Sequence, residues 1–326
     1  MKIERIELRH IKMPLVAPFT TSMGTDLDVE HIIIRVDAEG LTGWGECVAE
    51  AAPFYSGETV TTAWHALQNF LLPSVLGKKL SGIDQANDFM ARVRGHRMAK
   101  AALEAALWDV FAKSRNVSLA TMLNGTKHTV AVGISIGMQP AVAELIWRVE
   151  AFRAEGYAQV KIKIAPGNDI ATVKALRREF PHIPLQVDAN AAYKLSDIAL
   201  LKKLDDYSLR LIEQPLHHED LLDHAELQRQ IATTVALDES ICSLHTARAA
   251  CALKSCRAMN IKPGRVGGFS EAVRIHSLCG TAACLKPESA GQPISHLPRS
   301  KILPCRLIFT PTADTTAKIS LKALVH

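Results

Sequence analysis

Lys163, Asp188, Glu213, Asp238 and Lys262 follow one another at intervals of 25, 25, 25 and 24 residues, and each closes a short apolar run such as Val160-Lys161-Ile162-Lys163 or Val235-Ala236-Leu237-Asp238. Three carboxylates brought together repel one another unless a cation joins them. With oxygen donors and no His or Cys among them, Mg²⁺ suits the set better than zinc, and Mn²⁺ could substitute. A divalent cation between two lysines is equipment for removing a proton beside a carboxylate. The dianionic enediolate that forms needs positive charge at its oxygens, and a lysine near other cations can lose its proton readily enough to act as base. Two blander readings stay open here: a single Asp in such a place can cap a helix, and the Lys161/Lys163 alternation can belong to a solvated edge strand.

A short buried strand ending in a charge, then an amphipathic stretch, then another such strand, is the pattern of a parallel α/β barrel, whose active site lies at the C-terminal strand ends. Six strands are expected, at 130–136, 159–164, 185–188, 209–213, 234–238 and 258–262, with helices near 140–155, 168–179, 195–205, 219–231, 244–254 and 269–278. The units share no consensus beyond the strand-end charge, which disfavours a solenoid. Residues 1–125 read as a smaller α+β domain: strands at Ile3–Leu8 and His31–Val36, a turn at Gly40, and helices from about Val60 to Leu72, Gly82 to Arg94 and Met98 to Ser114. The barrel domain is expected over 126–279, followed by a tail at 280–326.

Composition narrows the class. The chain is 48% hydrophobic and 22% charged, as a globular protein is. No apolar stretch approaches the ~20 residues of a bilayer span, and the N-terminus alternates like a strand rather than a secretory signal. The net charge of +5 is concentrated in the tail, where six Lys or Arg stand against two Asp or Glu; the rest has 32 basic and 31 acidic side chains. No basic stripe with interleaved aromatics exists, so nucleic acid is not an expected partner. Seven cysteines without metal-type spacing fit a reducing cytoplasm.

Lys-x-Lys at 161–163, Val187-Asp188-Ala189-Asn190, Ile212-Glu213-Gln214-Pro215, Leu237-Asp238-Glu239-Ser240 and Asn260-Ile261-Lys262-Pro263-Gly264-Arg265-Val266-Gly267-Gly268 together resemble the enolase superfamily, muconate-lactonizing subgroup. Within it, Pro18-Phe19-Thr20-Thr21-Ser22, Gly43-Trp44-Gly45-Glu46-Cys47, Glu58 to Trp64 and Met98 to Glu104 are most similar to the o-succinylbenzoate synthase/N-acylamino-acid racemase family. The resemblance spans about residues 1–278. It implies a modified (β/α)₇β TIM-like barrel under an α+β capping domain, with a loop near 18–25 closing over a small carboxylate substrate. It assigns Mg²⁺ binding to Asp188, Glu213 and Asp238 and acid/base work to Lys163 and Lys262. In the synthase reaction, a step of menaquinone biosynthesis, Lys163 would take the α-proton, hydroxide would leave, and Lys262 would stabilise the enediolate. In racemisation the two lysines would exchange protons on opposite faces. Lys161, Asn190, Glu239, Asn260, Arg265, Phe19, Ser22 and Ser135 are the expected supporting or substrate residues. The folded chain is expected to be a homo-oligomer. An N-acylamino-acid racemase or dipeptide epimerase is the competing enzyme reading.

The tail departs from this pattern. A seventh strand and segments like Gly-Met-x-Thr-Gly-Val-Gly-Arg and Asn-Phe-Thr-Leu-Pro-x-Asp-Ile are expected, and neither segment appears after Leu278. Codons for Ala283 to Gly291, read one nucleotide upstream, can encode Met-Pro-Glu-Thr-Gly-Val-Gly-Arg, and those for Lys301 to Ile308 can yield Asn-Phe-Thr-Leu-Pro-Ala-Asp. A frameshift near 276–282 would explain both, with the last barrel strands missing or aberrant. It opens a reading from another class: a poorly folded, non-catalytic product of a damaged gene. The DNA sequence of the 3′ end tests it, since both segments must arise in one shifted frame.

Overall fold

Alternating side chains turn the first 47 residues into an antiparallel meander of β1 (Arg5–Thr21), β2 (Gly24–Ala38) and β3 (Leu41–Cys47), paired in that order. The computed structural model describes residues 1–125, 129 and 131–281 of the chain. Ile32, Ile34, Val36 and Ala38 of β2 are fully buried against the helix Arg97–Ser114. The approach of β3 to that helix explains its two glycines. A Cβ at Gly43 would lie 2.1 Å from the Ala106 carbonyl oxygen, and one at Gly45 would lie 2.0 Å from that of Ala102.

The first two strands run far beyond the expected Ile3–Leu8 and His31–Val36. The ladder from Arg5↔Asp37 to Pro14↔Asp28 is interrupted by a bulge containing Leu15 to Pro18, then resumes as Phe19↔Asp26, Thr20↔Thr25 and Thr21↔Gly24. The segment expected as a loop near 18–25 is therefore the tip of a long hairpin, turning at Ser22-Met23. Pro18, which has no N–H to donate, falls in the interruption, where a proline is tolerated.

Among the described residues the second sheet has six parallel strands in sequential order: β4 (Gly133–Ile136), β5 (Gln159–Lys163), β6 (Leu185–Asp188), β7 (Leu211–Glu213), β8 (Val235–Leu237) and β9 (Ala258–Met259). Helices Val142–Ala154, Ile170–Glu179, Leu221–Gln230, Leu244–Leu253 and Phe269–Thr281 follow β4, β5, β7, β8 and β9; broken helical turns over 195–207 follow β6. Ile162 and Ile164 are buried among Val173 and Leu176 of the covering helix, so Lys161 and Lys163 point to the other face. This is the barrel-type sheet with an antiparallel cap that the strand-end pattern predicts. The edge-strand alternative for the lysines fails, because β5 lies between β4 and β6. The helix-cap alternative fails too: N-cap bonds come from Asp169, Asp220 and Ser243, while Asp188 Oδ1 accepts from the backbone N–H of Asn190.

Glu104, which is 1% exposed, joins cap and barrel. It accepts from Asn87 Nδ2 at 2.8 Å and, at the start of helix Phe269–Thr281, from the Ser270 N–H at 3.4 Å. Gly268, at φ +134°, passes beneath it where a Cβ would lie 2.0 Å from Oε2. Among the described residues no helix is long and apolar enough to cross a membrane. The tail at 282–326, with the closing strands expected to be missing or aberrant, lies outside the described residues.

Candidate active site

Strand register places the five spaced residues, with one correction to the sequence reading. Lys163 pairs with Asp188 and Asp188 with Glu213, so these three stand at one level as the last residues of β5, β6 and β7. The residue opposite Glu213 is Ala236, which puts Asp238 one pleat step higher. Likewise β9 ends at Met259, and Lys262 sits beyond it as N-cap of the short helix Pro263–Val266. A constant sequence interval counts loops and helices as well as strand; tilted barrel strands are staggered, so equal spacing does not mean equal height. The side chains nevertheless share one face, since Ala236 and Asp238, and Ala258, Asn260 and Lys262, keep the same parity.

Two charge networks result. On one side Lys163 donates to Asp188 Oδ2 at 2.8 Å and to Asn190 Oδ1 at 2.5 Å. Lys161 Nζ bridges Asp188 Oδ2 and Glu213 Oε2, 3.0 Å from each, and Asn260 Nδ2 donates to Glu213 Oε1 at 2.9 Å. Burial works against charge here, yet Glu213 and Asp188 hold the Lys161 ammonium above its usual range, while burial of Asp188 is outweighed by Lys161 and Lys163, which hold its carboxyl below its own. On the other side Lys262 donates to Asp238 Oδ2 at 2.7 Å, and Arg265 pairs with Asp238 Oδ1. Burial again opposes charge, but Arg265 and Lys262 keep Asp238 ionised below the usual carboxylate range, and Asp238, then Tyr55, keep Lys262 protonated well above its ordinary value. Glu239 differs: burial, reinforced by Asp238, raises its carboxyl to about 7.

The cap closes this face. Ser22 at the hairpin tip donates to the Ala189 carbonyl at 3.1 Å, and Met138 N–H, just past β4, donates to the Thr20 carbonyl at 2.9 Å. Phe19 packs at Gly137, where a Cβ would come within 3.3 Å of its ring. Ser135, buried on β4, is the register neighbour of Lys161. Two residues were missed by sequence reasoning. Tyr55, from the stretch between β3 and the helix Val60–Ala66, accepts from Lys262 Nζ at 3.0 Å and Arg265 Nη1 at 2.9 Å and donates to Asp238 Oδ2 at 3.4 Å; its ring centroid is 4.9 Å from Lys262 Nζ. Gln214, fully buried at φ +39°, accepts from the backbone N–H groups of Asp238 and Ser240 and donates to Ser240 Oγ and the Leu216 carbonyl. It ties β7 to the chain after β8. Gln214 stood inside a quoted motif and could have been flagged; nothing local marked Tyr55.

Asp188, Glu213 and Asp238 are 2%, 4% and 1% exposed. Their donors are all carboxylate oxygens, and one cationic nitrogen, Lys161 Nζ, already reaches two of them. That chemistry fits a hard divalent cation. Asp238 is engaged by Lys262 and Arg265 instead, and among the described residues no three His, Cys, Asp or Glu side chains are gathered into a ready cation cage.

An antiparallel cap closing over a parallel sheet whose strand ends carry two lysines and three carboxylates is the architecture of the enolase-type barrel enzymes. Residues 5–125 match the mandelate racemase/muconate lactonizing enzyme N-terminal domain, and residues 144–298 match the family described as enolase C-terminal domain-like. The chain is 46% identical over 280 residues to the o-succinylbenzoate synthase of Bacillus subtilis (strain 168), covering 86% of this chain and 75% of that one. It is 43% identical over 294 residues to the N-succinylamino acid racemase of Thermus thermophilus, covering 90% and 78%. A solved structure of an enolase superfamily member from Listeria innocua superposes with a TM-score of 0.83 at 42% identity, covering 86% of this chain and 76% of that one. The chain therefore belongs to the o-succinylbenzoate synthase/N-succinylamino acid racemase family of the enolase superfamily, and it is an enzyme by descent.

Proposed function

We propose that the chain is a Mg²⁺-dependent o-succinylbenzoate synthase of menaquinone biosynthesis that also racemises N-acylamino acids. The observation that carries this is the pair of separate lysine networks, Lys163 with Asp188 and Asn190 and Lys262 with Asp238 and Tyr55, on one strand-end face. Asp188, Glu213 and Asp238 would hold the Mg²⁺, which when bound supplies positive charge to a substrate carboxylate and so favours loss of its α-proton. Lys163 removes that proton in the synthase direction. The C–H electron pair moves into the carboxylate as an enediolate, then expels the β-hydroxyl, which leaves as water with the proton that Lys163 took. Lys262, hydrogen-bonded to Asp238 and Tyr55, stabilises the enediolate from the opposite side in the synthase direction. In racemisation one lysine removes the proton and the other returns one to the opposite face. The hairpin tip at Phe19 to Ser22 and the cap residue Tyr55 cover the face and limit the access of water.

The relatives named o-succinylbenzoate synthase and N-succinylamino acid racemase support both halves of this reading. A racemase without synthase activity, or a dipeptide epimerase, is the alternative; the L-Ala-D/L-Glu epimerase of Bacillus subtilis is 30% identical. The full 326-residue chain is to be assayed with the hydroxy-acid precursor of o-succinylbenzoate and with an N-succinylamino acid, each with Mg²⁺ and after chelation. Turnover of both that stops on chelation is expected. Turnover of the N-succinylamino acid alone would support the racemase, and no turnover of either would overturn the proposal.

A further inference from the structure

Among the described residues Asn190 and Glu239 form a hydrogen-bonded link to one of the two lysines. Asn190 stands just beyond β6 in the left-handed region, at φ +42°, and is 8% exposed. Its Oδ1 accepts from Lys163 Nζ at 2.5 Å, and its Nδ2 donates to Glu239 Oε1 at 2.9 Å. A reversed amide would set its NH₂ against the Lys163 ammonium and give up its bond to Glu239 Oε1, so the two neighbours together fix which end faces Lys163. Glu239 is buried, and its second oxygen has no hydrogen-bond partner among the described residues. Half-satisfying a buried carboxylate costs stability, which makes it a poor choice for packing alone. Lys262 is hydrogen-bonded by other groups, Asp238 and Tyr55, and Glu239 acts on it through charge alone.

We infer that Glu239 is a positioning residue for Lys163: by accepting from Asn190 Nδ2 it holds the amide oxygen toward the lysine and so keeps Lys163, but not Lys262, aimed at the substrate. This rests on the two-lysine reading above. When Asn190 is free to rotate, Lys163 loses one of its two acceptors among the described residues and keeps Asp188. Its share of α-proton transfer then falls while that of Lys262 persists. The chemistry is unchanged: the C–H bond breaks, its electron pair is held as the enediolate, and the lysine returns a solvent-derived proton to carbon.

The test follows α-hydrogen exchange in D₂O with Mg²⁺, starting from each enantiomer of N-succinylphenylalanine, with the full chain and its Glu239→Met, Glu239→Gln and Asn190→Ala variants. Lys163→Ala and Lys262→Ala variants identify which enantiomer each lysine serves. Glu239→Met and Asn190→Ala are expected to slow the Lys163-dependent exchange by about tenfold or more, the effect of losing a hydrogen bond to a charged group, and to change the Lys262-dependent exchange by less than about threefold. Glu239→Gln keeps an acceptor for Asn190 and should retain most of the Lys163-dependent exchange. Retained Lys262-dependent exchange shows that a variant is folded; if Glu239→Met does not fold, Asn190→Ala decides. Equal loss on both faces, no loss on either, or a Lys262-side loss in Glu239→Gln would overturn the inference. If the unaltered chain exchanges neither enantiomer, the two-lysine reading falls and takes the inference with it, while turnover of the hydroxy acid is scored separately.

Discussion

Tyr55→Phe removes one oxygen and leaves the aromatic ring beside Lys262. That oxygen accepts from Lys262 Nζ at 3.0 Å and from Arg265 Nη1 at 2.9 Å, and its hydrogen points to Asp238 Oδ2 at 3.4 Å. Hydrogen bonds to charged groups contribute about 1.5–3 kcal/mol each. Both cations keep Asp238 as a partner, so the losses do not double, and a net cost of about 1.5–3 kcal/mol is expected for the position of Lys262. At about 1.4 kcal/mol per decade this is a fall of about 10- to 150-fold in the steps Lys262 serves. The ring, 4.9 Å from Lys262 Nζ, remains in phenylalanine. Tyr55→Leu removes it as well and should cost a further ~0.5–2 kcal/mol. The assay is single-enantiomer exchange together with kcat and KM for the hydroxy acid. Exchange on the Lys262 side should fall and that on the Lys163 side should hold. Unchanged exchange on both sides would refute the reasoning that this cap hydroxyl anchors Lys262.

Lys161→Met leaves Asp188 and Glu213 buried without the ammonium that bridges them, which should lower stability by about 3–5 kcal/mol; Mg²⁺ should then raise Tm more in the variant than in the unaltered chain, as read by thermal shift. Gly45→Ala forces a Cβ to 2.0 Å from the Ala102 carbonyl oxygen and should cost about 1–3 kcal/mol or more in a denaturant melt. Glu104 has its carboxyl raised by burial, against the opposing pull of Ser270 and Asn87. A carboxyl raised in the folded state favours folding while protonated and loses that advantage as pH rises through its folded value. The Tm of Glu104→Gln relative to the unaltered chain should therefore improve from about pH 4 to about pH 8. Burial pushes the Cys47 thiol up to about 12, so Cys47 should react with a thiol reagent only on unfolding, as peptide mass spectrometry would show.

The strand-end charges were legible because a parallel strand covered on both faces reads as a short apolar run, and a charge closing such a run has few structural reasons to be there. Leu185–Asp188 was predicted residue for residue, while β8 and β9 proved shorter than expected. Relative height was not legible: Asp238 lies a pleat step above Glu213 because register depends on strand tilt, which an interval of 25 residues does not encode. The hairpin tip was hidden by Pro14 and Pro18, which interrupt the alternation of β1, although pairing resumes at Phe19. Tyr55 was invisible because its partners Asp238, Lys262 and Arg265 lie 183, 207 and 210 residues away in sequence. Local pattern recorded which groups line the face; only the fold recorded which lysine each neighbour serves.

The central claim is that Lys163 and Lys262 address opposite faces of one carbanion. Its most direct measurement is α-hydrogen exchange from each enantiomer of an N-succinylamino acid by the unaltered chain, Lys163→Ala and Lys262→Ala, in D₂O with Mg²⁺. The account predicts exchange of both enantiomers by the unaltered chain, loss of one enantiomer's exchange in Lys163→Ala, and loss of the other's in Lys262→Ala. Loss of the same enantiomer in both variants, or exchange that survives in both, would contradict it.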